Sequence, residues 1–190
     1  MPQVTDAWLV IPLYNEATVV REVISQARET FPYIVVVDDG SKDDSARQAA
    51  AAGAIVVRHP VNLGQGAALQ TGFSYILEKT NANYVVTFDA DGQHSTTDAA
   101  AMVAAAREEE LAVILGSRFL QGPSPVGRLK RLVLRTAAAV SSRTSGMHLT
   151  DAHNGLRVIR RDVLVQLNLK QNRMAHASEI IRKIGATGLP

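Results

Sequence analysis

The sequence predicts an α/β fold: an open, mostly parallel sheet with helices on both faces. Three observations predict it. Short, continuously apolar, β-branched runs recur along the chain, stretches of helical period separate them, and polar or glycine-bearing segments follow most of the runs directly. With 190 residues, 46% of them apolar and 20% charged, the chain has the make-up of one ordinary globular domain.

Trp8-Leu9-Val10-Ile11 is the first predicted strand, and Pro12 to Glu16 end it. Val20, Val23, Ile24 and Ala27 then fall at i, i+3, i+4 and i+7, one face of a helix that Asn15 is placed to cap. Ile34 to Val37 and Ala54 to Val57 are the second and third strands, followed by Asp38 to Ser45 and by Asn62 to Gly66. Tyr84 to Phe88 is the fourth, running into Asp89 to His94, with Ser95 as a cap for the next helix and Asp98 as its capping-box partner. Leu111 to Leu115 is the fifth, and Gly116 to Arg118 follow it. Alanine-rich patches at 49–54, 99–106 and 137–139 suit close-packed helices, and residues 121–125 are the expected flexible break. Alternation of strand and helix implies right-handed crossovers, so the carboxyl ends of the strands share one edge. The polar segments therefore converge on one crevice, where ligands of such folds bind.

Composition narrows the chemistry. There is no cysteine, which excludes disulfides, thiolate metal sites and thiol nucleophiles and suits a reducing cytoplasm. No apolar run approaches the roughly 20 residues that span a bilayer, and no secretory signal is recognisable. Residues 1–110 carry 7 basic and 15 acidic side chains, residues 111–190 carry 13 and 3, so the two halves face different partners. The stretch between Glu110 and Asp151 lacks acidic residues but holds Arg118, Arg128, Lys130, Arg131, Arg135 and Arg143, a composition that suits phosphates, an anionic membrane surface, nucleic acid or a solvated basic helix face.

Two carboxylates one residue apart leave the fourth strand in Phe88-Asp89-Ala90-Asp91-Gly92-Gln93-His94. That spacing lets both reach one hard cation, Mg2+ or Mn2+, with the Gln93 amide oxygen as a further ligand and a diphosphate as the remainder. Asp38-Asp39-Gly40-Ser41 ends the second strand, where one aspartate can bond ribose or base, while Asp43, Asp44 and Ser45 suit a capped turn. Gly64 and Gly66 open a helix, which allows close backbone approach and turns the helix N-terminus toward phosphate or serves a purely structural turn. Arg128, Arg131 and Arg135 lie at i, i+3 and i+7, beside a separate apolar stripe.

Taken in order, Ile11-Pro12-Leu13-Tyr14-Asn15-Glu16, Asp38-Asp39-Gly40-Ser41, Asn62-Leu63-Gly64-Gln65-Gly66, Asp89-Ala90-Asp91-Gly92-Gln93-His94 and Gly116-Ser117-Arg118-Phe119 resemble the motifs of family 2 glycosyltransferases with the GT-A fold. The likeness is to the dolichyl-phosphate mannosyltransferase-like branch, which uses polyprenyl phosphates. By that resemblance Pro12, Tyr14, Glu16, Val37 and Asp39 hold base and ribose, Gly66 lies along the nucleotide-sugar site, and Asp89, Ala90 and Asp91 line the diphosphate. Asp89, Asp91 and Gln93 hold the metal, and Arg118 steadies the phosphates. Arg128, Arg131, Arg135 and Arg157 are acceptor-side cations, although Leu134 stands where the branch has a serine. Asp151 and Glu179 are the catalytic or orienting carboxylates; His94 and His153 have no firm role.

The resemblance implies an inverting transfer of a hexose from a GDP- or UDP-sugar to a polyprenyl phosphate, at the inner face of the plasma membrane. A saccharide hydroxyl in cell-envelope polysaccharide synthesis is the alternative acceptor. A nucleotidyltransferase would need a glycine-rich basic loop after the first strand, where this chain has Pro12 to Glu16. A module binding nucleic acid or an anionic surface would use the arginines and leave the carboxylates idle. Residues 1–190 are expected to be a single catalytic domain lacking its C-terminal part, able to bind donor and metal but slow in turnover.

Overall fold

The computed structural model describes residues 3–117, 154–173 and 175–189. Six strands form one sheet: β1 (Ala7–Leu13), β2 (Ile34–Asp38), β3 (Ile55–Arg58), β4 (Tyr84–Thr87), β5 (Val113–Leu115) and β6 (Arg157–Arg160), in the order β3-β2-β1-β4-β6-β5. β1, β2, β3 and β4 pair in parallel, and β6 lies antiparallel between β4 and β5. The helices are α1 (Val20–Thr30), α2 (Ser45–Ala51), α3 (Gln65–Lys79), α4 (Thr96–Glu108), α5 (Arg161–Gln166) and α6 (His176–Thr187).

β2 and β4 are buried at every position because both faces of the sheet are covered. On one face Val20, Ile24 and Ala27 of α1, with Ala99, Val103 and Ala106 of α4, pack on Leu9, Ile11, Val36 and Val86. On the other, Leu69, Phe73 and Ile76 of α3 join Val163, Leu164, Ile180 and Ile184 against Val10, Val35 and Val85. The alternation of side chains along each strand thus feeds two cores, one per face.

The order of strands places the topological switch between β1 and β4, since the chain leaves β1 toward β2 and β3 and returns to β4 on the other side. The ends of β1, β2 and β4 are therefore neighbours, and they carry the segments singled out in the sequence. Among the described residues no helix is long and apolar enough to cross a membrane.

The predicted fifth strand is present as β5 and runs in the direction of β4, while Arg157-Val158-Ile159-Arg160, which the sequence pattern does not mark as a strand, lies antiparallel between them. One local expectation is corrected: Asn15 does not cap α1, which begins at Val20 without a side-chain cap. Asn15 adopts a left-handed φ of 55°, and its Oδ1 instead accepts from Lys42 N–H, tying the loop after β1 to the loop after β2. Ser95 does cap α4, accepting from Asp98 N–H at 3.2 Å.

Candidate active site

The loops after β1 and β2 are laced together. Ser41 Oγ accepts from Asn15 N–H at 2.9 Å, Ser45 Oγ from Glu16 N–H at 2.8 Å and Asp43 Oδ2 from Ala17 N–H at 3.1 Å. Asp43 also takes Ser45 N–H in an Asx turn, the structural use expected for it. These bonds hold Pro12, Tyr14 and Glu16 at the mouth of β1, with Tyr14 exposed and Val37 buried within β2.

Asp39 is only 3% exposed, and both its oxygens are engaged. Oδ1 meets His59 Nδ1 at 2.8 Å and Leu63 N–H at 2.9 Å, and Oδ2 takes Gly64 N–H at 2.7 Å. His59 Nε2 in turn lies 2.9 Å from Thr71 Oγ1 on α3. A neutral imidazole satisfies both contacts, donating from Nδ1 and accepting at Nε2. Asp39 is thus a clamp on the loop after β3, and His59, which sequence reasoning missed, links that clamp to α3. Asp38 is used likewise, accepting from Ser41 N–H and Arg58 Nε.

The glycines ahead of α3 do not leave an open phosphate cradle. Gly66 N–H donates to Asn172 O at 2.9 Å, and a side chain at 66 would stand 2.7 Å from His176 Cβ. Gly64 has a φ of +102°, and a side chain there would come 2.9 Å from the Asn172 carbonyl carbon. Gly66, which the resemblance puts along the nucleotide-sugar site, makes this close approach to the chain's own segment at 171–173.

Glu179 is the other end of that junction. It is 6% exposed, accepts Lys170 N–H at 3.0 Å and Gln171 N–H at 2.8 Å, and pairs with Lys183 at 3.2 Å. Burial alone would raise its carboxyl pKa, but the backbone donors of Gln171 and Lys170, with Lys183, outweigh burial and lower it. The carboxylate expected to orient or deprotonate a substrate is occupied in holding the 168–173 segment against α3.

Asp89 follows β4 at the switch point. Its Oδ2 lies 2.7 Å from His94 Nε2, and its Oδ1 accepts from Gln65 Nε2 at 3.3 Å. Burial pushes the carboxyl upward, yet the His94 hydrogen bond and the charges of His94 and Arg157 prevail, so Asp89 titrates below the usual carboxylate range. Ala90 beside it is buried. Asp91 is exposed and takes Gln93 N–H on Oδ1 at 3.0 Å, so both the carboxylate and the Gln93 side chain face solvent. Thr87 Oγ1 donates to Gly155 O, bringing residues 154–156 alongside the Asp89 carboxylate.

Arg157, expected on the acceptor side, is 3% exposed at the start of β6, opposite Thr87, where its charge acts on Asp89 and His176. Arg118, Arg128, Arg131, Arg135 and Asp151 lie outside the described residues. The site also contains His94 and His176; His94 stands five residues past Asp89 in the same motif, whereas no sequence signal brings His176 there.

The model of glycosyl transferase family 2 matches residues 8–167. The chain belongs to that family. The transferase is 27% identical to the UDP-N-acetylglucosamine–dolichyl-phosphate N-acetylglucosaminyltransferase of Methanococcus voltae, over 92% of this chain and 78% of the relative. It is 30% identical to the polyprenol monophosphomannose synthase of Mycolicibacterium smegmatis, over 85% of this chain and 64% of that one. Among solved structures, glucosyl-3-phosphoglycerate synthase from Mycobacterium tuberculosis, in complex with Mn2+, UDP and phosphoglyceric acid, superposes with a TM-score of 0.70 at 25% identity. That match covers 92% of the transferase and 62% of the synthase chain. The transferase thus spans less than two thirds of the latter two proteins, and its fold is that of the GT-A glycosyltransferases.

Proposed function

We propose that the chain transfers a hexose from a nucleoside-diphosphate sugar, GDP- or UDP-linked, to a polyprenyl phosphate. The observation that carries this reading is an ionised Asp89 at the switch-point crevice with an exposed Asp91 two residues on. The polyprenol and dolichyl-phosphate relatives support the acceptor class, and the Mn2+ and UDP of the neighbouring synthase support a divalent cation.

The residues present fit such an ion. No group of three or more His, Cys, Asp or Glu able to hold a metal occurs among the described residues. Mg2+ and Mn2+ in nucleotide sites need no such cage, being held through one or two carboxylates, waters and substrate phosphates. Asp89, Asp91 and the Gln93 amide would supply the protein's share. When bound, the ion neutralises charge on the departing nucleoside diphosphate.

The chain's own residues do the rest. The laced loops hold Pro12, Tyr14 and Glu16 for the base and ribose, and Asp39 fixes the loop that borders them. His94 and Gln65 orient Asp89 and keep it charged. In the transfer the bond between the anomeric carbon and the β-phosphate oxygen breaks as a bond to an acceptor oxygen forms, with inversion. A polyprenyl phosphate presents an ionised oxygen and needs no base. The engagement of Glu179 by Lys170 and Gln171 favours that acceptor over a saccharide hydroxyl. The cations Arg118, Arg128, Arg131 and Arg135 would serve donor and acceptor phosphates at the cytoplasmic face of the membrane.

A thermal-shift screen of UDP- and GDP-sugars with and without Mn2+ tests donor binding, because a ligand selective for the native state raises Tm. Transfer of labelled sugar to undecaprenyl or dolichyl phosphate, against transfer to an oligosaccharide, tests the acceptor. Labelled lipid is the expected product; a labelled oligosaccharide alone would overturn the assignment of the acceptor.

A further inference from the structure

His176 opens α6 and is 4% exposed, yet only half of its ring is used. Nδ1 lies 2.8 Å from Arg173 O, a carbonyl that only accepts, so Nδ1 carries the proton and Nε2 presents a lone pair. Among the described residues that Nε2 has no hydrogen-bond partner. No fully buried side-chain nitrogen or oxygen is left unpaired among the described residues, so Nε2 is not fully enclosed.

The ring's position is fixed from two sides. Its Cβ lies against Gly66, and Gln65, next to Gly66 in the chain, donates to Asp89 Oδ1 of the donor site. The backbone that leads into it is held by Glu179 and by Gly66 N–H.

A fixed acceptor nitrogen on a mostly buried neutral imidazole selects its partner. It cannot donate to a phosphate oxygen, and its lone pair repels one. What it can take is an O–H or N–H, and the hydroxyls flanking the diphosphate of a nucleoside-diphosphate sugar belong to the ribose, assigned above to the loops after β1 and β2, and to the hexose. On the transferase reading given above, we propose that His176 Nε2 accepts a hydrogen bond from a hydroxyl of the sugar being transferred. His176 is then a specificity residue that reads the donor sugar and leaves the nucleotide alone.

Calorimetry on the full chain separates the possibilities. Titrations use UDP and GDP, then UDP-glucose, UDP-N-acetylglucosamine and GDP-mannose, all with Mn2+, for the unaltered chain, His176→Ala and His176→Gln. Loss of one neutral hydrogen bond predicts about three- to tenfold weaker sugar-nucleotide binding by His176→Ala, while the free nucleoside diphosphate binds as before. His176→Gln, whose amide oxygen also accepts, should recover part of the loss. One deoxy or deoxyfluoro form of the preferred donor should bind the unaltered chain more weakly by a similar factor and show no further loss with His176→Ala.

Equal weakening of nucleoside diphosphate and nucleotide sugar, with a raised Mn2+ requirement, would make His176 a metal ligand and overturn the proposal. Unchanged sugar-nucleotide binding by His176→Ala would overturn it while leaving the transferase reading intact. If the unaltered chain bound no nucleotide sugar with Mn2+, the transferase reading and this inference would fall together.

Discussion

The Asp89 carboxylate rests against the backbone of Gly155, so closely that a β-carbon at 155 would stand 2.9 Å from Asp89 Cγ. The two residues lie 66 positions apart in the chain and meet because β6 inserts beside β4. Gly155→Ala should push the carboxylate off its bonds to His94 and Gln65. The expected result is a stability loss of about 1–3 kcal/mol in urea denaturation. Mn2+-dependent nucleotide binding should fall further than that loss explains. Unchanged binding in a stable variant would show that the carboxylate need not sit where it does.

Asp39→Asn is nearly isosteric, yet it should destabilise the chain. Both oxygens of Asp39 face N–H donors, so an amide must turn its own N–H2 toward either Gly64 or the pair of Leu63 and His59. A buried donor facing a donor costs about 1–3 kcal/mol. Denaturation midpoints of Asp39→Asn and Asp39→Ala would both fall if the clamp is structural. A loss confined to nucleotide binding, with unchanged midpoints, would assign Asp39 to ligand alone.

Gly66→Ala tests what the glycine is for. The added methyl meets His176 Cβ and the carbonyls of residues 171 and 172, so the melting temperature should drop whether or not nucleotide is present. A normal Tm with weakened phosphate binding would restore the phosphate-cradle interpretation.

The strands and their polar ends were legible because β1, β2 and β4 are buried on both faces, which forces continuous apolar runs. β6 was not, since Arg157-Val158-Ile159-Arg160 offers two apolar residues between arginines and owes its place to partners about 70 positions earlier. The aspartates of the site were equally visible, but their uses differ. Asp89 and Asp91 carry their chemistry in their spacing. Asp39 and Glu179 are claimed by backbone N–H groups 24 and 8–9 residues away, which no local pattern announces. His176 is a lone histidine in sequence, and only the fold brings it to Gly66.

Glu179 predicts a pH signature. Its pKa is lowered in the folded chain, so its contribution is fully present above the unfolded carboxyl value, about 4.3. It is lost as the pH falls through the lower folded value. Glu179→Gln should therefore melt several degrees below the unaltered chain at pH 7, and the gap should close as the pH falls below 4. A gap that stays constant from pH 7 to pH 3.5 would mean that the charge of Glu179 is not what holds Lys170 and Gln171.

The central claim is that the acidic pair after β4 recruits the ion that carries the donor's diphosphate. Calorimetry of the preferred nucleotide sugar with Mn2+ and with EDTA, for the unaltered chain and for Asp91→Ala, tests it most directly. Asp91 is exposed, so the variant should fold and melt normally. Mn2+ should tighten binding to the unaltered chain and have no effect on Asp91→Ala. Equal tightening by Mn2+ in both proteins would contradict it.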